Sequence, residues 1–507
     1  MYEGKPNSFI EYLEYGYNNF ADKKCFFEKK NDKYIGYTFN DIYNDTKSIA
    51  NLLIKNKLSN KKIIIIGKNS YNWLMTYLSI VTYVGVVVPI DNSWPLKEIK
   101  NVINDIDEAD CIICDQEKYQ LLIKDIDKKI KIFKLEDILI KSQNLKKEKY
   151  KKKKDTDLVE ILYTSGTSEK PKAIMLSTKN IFANMDGVAK FAPVTTNDKY
   201  LVILPFHHIY TLVILVIYPL YIGISIYLST PKDLVNDLKI VKPTIFPGVP
   251  LIFTRVINEI PEEKKVKIKK GIKISNFLRK FGIDIRKRLF KEFYDFWGGN
   301  IFFFTCGAAS LDYDIAKLYD DMGIIILQGY GLSEASPIVT MNDYHNYRID
   351  SCGQVLMHQK IKIIDMDASG IGEIAIKGDN VMLGYYKNKD LTKKSYTKDG
   401  YFKTGDLGYI DDEERLHVIG RKKKIIVTSN GKNIDATEIE NIIKKESIIS
   451  DAKVYCEKDK IVADIYTNSS NNKIDKIINN LNKDLPKYKR ISKYNIKIVD
   501  NNNVRIK

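Results

Sequence analysis

The sequence predicts an α/β fold built from layered, largely parallel sheets. Near the N-terminus, helix-like periodicity at 41–54 and 71–84 alternates with apolar, strand-like runs at 62–66 and 85–90. A second series of strand-like runs begins near Lys199. Repeated βα units favour parallel sheets covered on both faces, with ligand-binding loops at the carboxyl ends of the strands.

The second series differs from the region that follows it. Its predicted strands are 201–204, 224–228, 244–247, 301–305 and 324–328, and each ends at a Gly, a Pro or a polar turn. From residue 351 the pattern changes to short strands separated by turn signals, and the strands are predicted at 361–365, 372–377 and 409–411. This change predicts a small antiparallel or barrel-like unit.

Length and charge limit the possible classes of protein. A chain of 507 residues exceeds one hydrophobic core, so more than one domain is expected. The net charge of +17 permits attraction to nucleic acid or to an anionic membrane. Because the excess is widely spread, we interpret it as compositional, with membrane-surface affinity as the better alternative. The lysine blocks at 146–154 and 264–270 are interpreted as solvated linker or helix faces.

The sequence also predicts a location. The first twenty residues carry four charged side chains in place of an apolar signal region, so we expect a cytoplasmic protein, with peripheral membrane contact as the alternative. The uncharged stretch 200–229 is long enough to span a bilayer, but His, Pro and Gly interrupt it, and a buried core element is favoured. Cys111 and Cys114 form a close pair, for which burial is favoured over a redox or metal half-site.

Residues 163–172, Tyr-Thr-Ser-Gly-Thr-Ser-Glu-Lys-Pro-Lys, form a hydroxyl-rich loop that ends in a cation. Apolar runs at 158–163 and 173–176 flank it, so it joins two strands and is not a Walker loop, which opens a helix. Gly166 can adopt positive φ, and Lys172 supplies a point charge. The hydroxyl donors are Thr164, Ser165, Thr167 and Ser168. The loop predicts polyphosphate binding; a simple polar hairpin turn is the alternative.

Three further segments are 328–337 (Gln-Gly-Tyr-Gly-Leu-Ser-Glu-Ala-Ser-Pro), 401–408 (Tyr-Phe-Lys-Thr-Gly-Asp-Leu-Gly) and 420–431, which begins Gly-Arg-Lys-Lys-Lys. In this order and spacing, they and the loop resemble the signature motifs of the adenylate-forming (AMP-binding) superfamily. Segments 204–208, 306–309, 381–386 and 430–433 most resemble those of bacterial long-chain fatty acid–CoA ligases.

The resemblance implies a fold and a reaction. The fold is a large domain, 1–419, of two doubly wound sheets plus a small distorted β-barrel, and a small mobile α+β lid domain, 420–507, with a hinge near Lys423. The reaction joins a fatty acid to ATP, giving acyl-adenylate and pyrophosphate, and then to coenzyme A, with release of AMP. Two alternatives are acyl transfer to a holo acyl carrier protein in trans and a catalytically weak nucleotide- or acyl-adenylate-binding protein. No nucleic-acid partner is expected.

The resemblance also implies site residues. ATP would be bound by Thr164, Ser165, Gly166, Thr167, Ser168, Lys172, Gly307, Ala308, Ala309, Gln328, Gly329, Tyr330, Gly331, Ser333, Asp406 and Arg421. Mg²⁺ would be bound by Thr164 and Glu334, coenzyme A by Gly431, and catalysis would involve His208, Lys172, Lys423, Arg505 and Lys507. Mg²⁺ binds through one or two carboxylates plus phosphate oxygens, which suits Glu334. A single carboxylate, Asp406, can accept hydrogen bonds from both ribose hydroxyls.

The sequence departs from the family pattern in the phosphate loop and at the C-terminus. Glu169 and Ala173 stand where glycines are usual, so nucleotide affinity is expected to differ. Arg505 occupies the place of the family's C-terminal lysine, and Lys507 is the nearest lysine; Arg presents a planar fork, so the exchange is not conservative. We expect deletion of the last three residues to slow adenylation more than thioester formation. Residues 206–208 offer no acid for a substrate ammonium, which favours an uncharged, fatty acyl group.

Overall fold

The computed structural model describes residues 4–106, 109–124, 126–127, 129–164, 171–427, 433–446, 448–457, 460–468, 471–486 and 489–498. The chain forms two compact units, each discontinuous in sequence. Unit 1 comprises 1–361, 376–402 and 411–416, and unit 2 comprises 362–375, 403–410 and 417–507. The predicted domain boundary at 420 stays a prediction.

The strands are β1 (Lys24–Lys30), β2 (Lys33–Thr38), β3 (Lys62–Ile66), β4 (Val86–Ile90), β5 (Ala109–Cys114), β6 (Lys131–Lys134), β7 (Leu158–Thr164), β8 (Lys172–Ser177), β9 (Lys199–Val202), β10 (Ser225–Leu228), β11 (Ile245–Gly248), β12 (Phe303–Cys306), β13 (Ile325–Gly331), β14 (Ile338–Met341), β15 (Gln354–Val355), β16 (Gln359–Ile364), β17 (Gly372–Gly378), β18 (Gly384–Tyr385), β19 (Phe402–Ile410), β20 (Leu416–Arg421), β21 (Ile425–Val427), β22 (Asn433–Asp435), β23 (Ile449–Glu457), β24 (Lys460–Thr467) and β25 (Ile491–Ile498).

The α-helices are α1 (Phe9–Phe20), α2 (Phe39–Lys55), α3 (Tyr71–Ser79), α4 (Leu96–Asp105), α5 (Gln116–Leu122), α6 (Ile138–Ser142), α7 (Thr178–Phe191), α8 (Tyr218–Tyr221), α9 (Leu234–Val241), α10 (Pro250–Asn258), α11 (Glu262–Arg279), α12 (Arg286–Leu289), α13 (Lys291–Phe296), α14 (Tyr313–Asp321), α15 (Lys389–Lys394), α16 (Ala436–Lys444) and α17 (Asn471–Asp484). Two π-helical segments, Ile80–Val84 and Tyr210–Ile217, and two 3₁₀ turns, Ser333–Ala335 and Lys422–Lys424, complete the helical elements of the described residues.

A seven-stranded sheet of unit 1 has the order β18-β8-β7-β4-β3-β5-β6. Its central pairs are parallel, whereas β7, β8 and β18 pair antiparallel. The isoleucine run of β3 is buried on both faces, as expected for a central parallel strand. The predicted strands at 62–66 and 85–90 are confirmed.

The cysteine pair lies in β5 of this sheet. Cys111 and Cys114 are both buried, free thiols. Burial raises the pKa of Cys114 to about 12 and raises that of Cys111 further, so both remain protonated. The prediction that these cysteines are structural is confirmed.

A nine-stranded sheet of unit 1 has the order β15-β14-β13-β12-β11-β9-β10-β1-β2. The strands from β10 to β13 pair parallel, and an aromatic core of Phe253, Trp297, Phe304 and Tyr319 packs with them. All five strands of the predicted second series exist, although β9 starts two residues earlier than expected and β12 two residues later.

The uncharged stretch 200–229 contributes β9, the π-helical segment, α8 and β10, and most of its apolar side chains are buried. The predicted buried core element is therefore confirmed. Across the described ranges, no helix has both the length and the apolar character to cross a membrane.

Local capping explains where α7 begins. The side chain of Ser177 accepts a hydrogen bond from the Asn180 backbone at 3.2 Å, and the Asn180 side chain accepts one from the Ser177 backbone at 2.8 Å. This reciprocal capping box is worth about 1 kcal/mol. It fixes the start of a helix whose asparagines support the site described below.

Unit 2 holds parts of a sheet with the order β16-β17-β19-β20, a two-stranded pair β21-β22, and a three-stranded sheet β23-β24-β25. Isoleucines from α16, α17 and the three-stranded sheet form its core, giving an α+β arrangement. The predicted strands near 361–365 and 372–377 are confirmed. The prediction of a short strand at 409–411 is wrong in extent, because β19 runs from Phe402; the two glycines of its Thr-Gly-Asp-Leu-Gly run suggested a turn.

Candidate active site

The hydroxyl-rich loop connects two paired strands, β7 and β8. β7 and β8 pair antiparallel, and Thr164 stands opposite Lys172 at the end of the ladder. The Thr164 hydroxyl donates to the Lys172 carbonyl at 3.4 Å. The prediction that the loop joins two strands is confirmed. Ser165, Gly166, Thr167, Ser168 and Glu169 lie outside the described residues.

The hairpin lysine and the predicted metal ligand contact the same phenol. The Lys172 ammonium lies 5.2 Å from the centre of the Tyr385 ring. The Tyr385 hydroxyl donates to Glu334 Oε1 at 2.9 Å. Burial and the Glu334 carboxylate raise the pKa of Tyr385, so the hydroxyl stays protonated and remains a donor. Three segments far apart in sequence therefore meet, and we call them the Lys172–Tyr385–Glu334 cluster.

Two buried asparagines hold the turn that carries Glu334. Asn184, on α7, donates to the carbonyls of Ala335 and Ser336 at 3.1 and 2.8 Å. Asn380 donates to the Ala335 carbonyl at 3.0 Å. The Met382 N–H donates to the Glu334 carbonyl at 2.8 Å. Because the backbone on both sides of the carboxylate is bonded, the position of Glu334 is restricted before any ligand binds.

The cluster fits a Mg²⁺ ion bound together with a polyphosphate. Glu334 is partly exposed, and its Oε1 accepts the Tyr385 hydroxyl, which orients the carboxylate. Among the described residues no group of three acidic, His or Cys side chains forms a protein cage. Mg²⁺ is usually held by one or two carboxylates plus phosphate oxygens and water, so a single oriented carboxylate suits it.

The end of β12 forms a small-residue turn. Gly307 is buried, and a Cβ there would lie 3.2 Å from ring atoms of Tyr210. Ala308 has a left-handed backbone with φ of +69°, and the side chains of Ala308 and Ala309 are exposed. The Tyr210 and Thr305 hydroxyls lie 3.3 Å apart behind the turn. The turn thus presents backbone with minimal side-chain cover, as close approach of a planar base requires.

The Gln328–Ser333 segment runs along β13 into the turn of Glu334. Gln328 is buried and donates to the Ile349 carbonyl at 2.7 Å, so its side chain is used structurally. Gly331 is required sterically, because a Cβ would lie 1.9 Å from the Pro337 carbonyl oxygen. Tyr330 is buried, whereas Gly329 and Ser333 are partly exposed. The segment brings Ser333 next to Glu334.

The histidine pair has an acidic neighbour that the sequence did not suggest. His207 Nε2 lies 3.7 Å from Asp91 Oδ2, and the rings of His207 and His208 are 4.2 Å apart. Asp91 follows β4, more than a hundred residues away in sequence, so residues 206–208 taken alone could not reveal it. Burial, with a contribution from His208, lowers the pKa of His207 to about 3, so this ring is neutral.

His208 itself keeps an exposed surface, although the surrounding protein desolvates the ring enough to lower its pKa. Asn69 fixes the backbone before the pair: its amide donates to the Leu204 carbonyl and accepts from the Phe206 N–H, each at 2.8 Å. A neutral imidazole on a fixed backbone can donate or accept one hydrogen bond to a carboxylate substrate.

In unit 2, Asp406 and Arg421 form an ion pair. Arg421 Nε lies 2.8 Å from Asp406 Oδ1, and its Nη1 donates to the Thr404 carbonyl at 3.2 Å. The Thr404 hydroxyl accepts from the Asp406 N–H at 3.1 Å and donates to the Ile374 carbonyl at 2.8 Å. Asp406 is buried and Arg421 is half-exposed, so the carboxylate is positioned from two sides.

The remaining predicted residues are less fully described. Lys423 lies in the 3₁₀ turn Lys422–Lys424. On either side of it, Lys422 pairs with Glu373 at 2.7 Å and Lys424 pairs with Glu440 at 2.8 Å. Gly431, Arg505 and Lys507 lie outside the described residues.

Sequence reasoning missed Tyr385, Asn184, Asn380 and Asp91. Tyr385 stood within the 381–386 segment used for the resemblance, but nothing in a single sequence shows that its hydroxyl meets Glu334. The asparagines act through carbonyls of distant residues, and such contacts leave no periodic or compositional signal.

Comparison with known proteins identifies the family of the chain. Residues 13–386 match the AMP-binding enzyme family, and residues 423–507 match the AMP-binding enzyme C-terminal domain. The Homo sapiens long-chain-fatty-acid–CoA ligase ACSBG2 is 26% identical over 516 residues, covering 91% of this chain and 76% of the relative. The Rattus norvegicus long-chain-fatty-acid–CoA ligase 5 is 29% identical over 441 residues, covering 78% of this chain and 64% of the relative.

Solved structures share the fold. ATP-bound MatB from Rhodopseudomonas palustris superposes with a TM-score of 0.77 at 23% identity, covering 96% of this chain and 94% of that one. AMP-bound O-succinylbenzoate coenzyme A synthetase (MenE) from Bacillus subtilis superposes with a TM-score of 0.75 at 18% identity. The match covers 97% of this chain and 95% of that one. The chain therefore belongs to the AMP-binding enzyme family, within the adenylate-forming superfamily, and resembles the long-chain-fatty-acid–CoA ligases.

Proposed function

We propose that this protein activates a long-chain fatty acid with ATP and Mg²⁺ and then transfers the acyl group to coenzyme A. The observation that carries the proposal is the Lys172–Tyr385–Glu334 cluster, in which a cation and an oriented carboxylate share one phenol. The names of the curated relatives support the fatty acid as substrate and coenzyme A as acceptor.

In the first step, a carboxylate oxygen of the fatty acid attacks the α-phosphorus of ATP. The bond from that phosphorus to the bridging oxygen breaks, and pyrophosphate leaves with the electron pair. Lys172 neutralises charge on the phosphate oxygens, and electrostatic stabilisation of this kind is often the largest catalytic contribution. Glu334 and Thr164 would hold Mg²⁺, which when bound neutralises phosphate charge and orients the leaving group.

In the second step, the coenzyme A sulfur attacks the acyl carbonyl carbon, its thiol proton passes to solvent, and the carbon–oxygen bond to AMP breaks. The AMP that leaves therefore carries one oxygen of the original fatty acid. No nucleophilic side chain is needed. The protein contributes position and charge, which together can supply much of the rate.

The substrate class rests on the surroundings of His208. The neighbouring segment 210–217 is uncharged and almost entirely buried, as an apolar acyl group requires. The carboxylate of Asp91 lies by His207 and accepts the Ser93 N–H at 2.7 Å. A neutral His208 would donate one hydrogen bond to the substrate carboxylate without adding a second cation.

ATP–pyrophosphate exchange with the purified chain across acetate, octanoate, palmitate and an amino acid tests this proposal. We expect palmitate to give the highest exchange rate and the amino acid none. Released product is then assayed with coenzyme A and, separately, with holo acyl carrier protein. Transfer to the carrier protein alone would favour the in-trans alternative. No exchange with any acid would favour the nucleotide-binding alternative.

We also propose Lys423 as the pivot of a C-terminal lid that serves the two steps in different poses. Both neighbouring lysines are held in ion pairs, so rotation about the turn would centre on residue 423. Lys423→Pro, which restricts φ, is expected to spare pyrophosphate exchange and to block thioester formation. Equal loss of both steps would contradict the pivot role; Lys423→Ala, expected to spare both, is the matched control.

A further inference from the structure

The α11 region carries a surface that the proposed activity does not use. We define the α11 surface by its exposed apolar side chains, Val266, Ile274, Phe277, Phe281, Ile283 and Leu289. Phe277 and Phe281 are 60% and 67% exposed, and their rings contact each other edge to face with centroids 5.3 Å apart. These residues lie within 24 positions of a 507-residue chain, so they form a concentration of exposed apolar groups.

The opposite face of α11 explains how the surface is held. Gly271 and Ser275 are buried, and Ile268 and Ile272 pack against the aromatic core beside the nine-stranded sheet. A Cβ at Gly271 would lie 3.1 Å from the Phe290 ring, so the helix sits close against its neighbour. The helix is therefore docked by one face, and its other apolar side chains are left facing outward.

The same surface is strongly basic. Residues 264–288 contain eleven Lys or Arg and one acidic residue, Asp284, which Arg286 binds at 2.7 Å. Val266, Lys270, Lys273 and Phe277 follow helical spacing along the exposed ridge. Within the part of the chain that the structure describes, neither Lys270 nor Lys273 has an ion-pair partner. From the sequence alone, the lysine block at 264–270 is interpreted as a solvated helix face. That interpretation does not explain the exposed aromatic and aliphatic side chains beside the lysines.

We propose that the α11 surface docks on an anionic lipid bilayer. Lysines beside exposed aromatic and aliphatic side chains match an interfacial helix, whose apolar groups enter the headgroup boundary while ammonium groups reach lipid phosphates. Nucleic acid is disfavoured, because single strands stack on aromatic rings and gain little from Val266, Ile274, Ile283 and Leu289. The surface stands apart from the Lys172–Tyr385–Glu334 cluster in sequence and does not depend on the proposed reaction.

Co-sedimentation of the full chain with vesicles tests the proposal. Vesicles of phosphatidylcholine alone are compared with vesicles containing about 30% phosphatidylserine. We expect binding to the anionic vesicles that weakens with salt. The variants F277S/F281S and K270Q/K273Q should each reduce it about tenfold, because one removes apolar insertion and the other charge attraction.

Two controls match these changes elsewhere on the chain. I140S removes an exposed, isolated isoleucine on α6, and K151Q/K152Q removes two exposed lysines of the 146–154 block. Both should bind like the unaltered protein. All variants should share its thermal unfolding midpoint, because every changed side chain is exposed.

Fluorescence locates the contact directly. In Phe281→Trp the emission should shift to shorter wavelength when anionic vesicles are added, whereas Ile140→Trp should show no shift. Equal vesicle binding by all variants, binding to RNA without binding to vesicles, or an unshifted Phe281→Trp signal would each overturn the proposal.

Discussion

Replacing Tyr385 with Phe tests the Lys172–Tyr385–Glu334 cluster. The change removes the hydroxyl that donates to Glu334 at 2.9 Å and keeps the ring beneath Lys172. A hydrogen bond to a charged group contributes about 1.5–3 kcal/mol, and solvent replaces part of it because Glu334 is partly exposed. We therefore expect transition-state stabilisation to fall by about 1–1.5 kcal/mol, which corresponds to a roughly fivefold to tenfold fall in kcat/KM for adenylation.

The assay is pyrophosphate exchange as a function of Mg²⁺ concentration. Tyr385→Phe should raise the Mg²⁺ requirement and leave the KM for the fatty acid unchanged, since only the orientation of Glu334 is relaxed. In Glu334→Gln, kcat/KM for adenylation should fall about a hundredfold. Tyr386→Phe, at the adjacent position, is the matched control and should behave like the unaltered enzyme. A normal Mg²⁺ response in Tyr385→Phe would refute the role given to the cluster.

Three other predictions follow from the surroundings of His207, Glu160 and Asp406. Burial lowers the pKa of His207 to about 3, so its ring should stay neutral. The pH–rate profile of His207→Gln should therefore run parallel to that of the unaltered enzyme. If the unaltered enzyme shows an inflection near pH 6.5 that the variant lacks, this prediction is contradicted. Burial raises the pKa of Glu160 from 4.5 to about 8, so its contribution to stability is fully present below about pH 4.5 and declines as the pH rises to 8, by about 1.4 kcal/mol per unit. The free energy of unfolding, measured by denaturation at about pH 4.5 and at about pH 8, should fall less in Glu160→Gln than in the unaltered protein. An equal fall in both proteins would exclude the effect. Asp406→Asn should raise the KM for ATP about tenfold or more without changing that for the fatty acid, because an amide cannot accept both ribose hydroxyls while it faces Arg421; an unchanged KM for ATP would remove Asp406 from the nucleotide site.

The sequence predicted the elements whose patterns are local. The isoleucine run of β3 could be recognised because a central parallel strand is buried on both faces, and the β7–β8 hairpin because apolar runs flank a polar loop. β19 was predicted too short, because its glycines resemble turn residues although the strand continues through them.

The site was harder to predict wherever the chemistry depends on tertiary contact. Glu334 and Lys172 stand in recognisable motifs, whereas their shared partner Tyr385 is defined by a hydrogen bond that no spacing encodes. Asp91 reaches His207 only because β4 ends beside the histidine segment. The exposed rings of the α11 surface were not predicted either, since the exposure of Phe277 and Phe281 depends on which helix face is docked.

Oxygen-18 transfer is the most direct test of acyl-adenylate formation. Palmitate labelled in both carboxylate oxygens is incubated with the chain, ATP, Mg²⁺ and coenzyme A, and AMP is analysed by mass spectrometry. We expect each AMP to gain one labelled oxygen, because the carboxylate attacks the α-phosphorus and the acyl carbon–oxygen bond breaks in the second step. Unlabelled AMP, or label in pyrophosphate or inorganic phosphate, would contradict the proposed reaction.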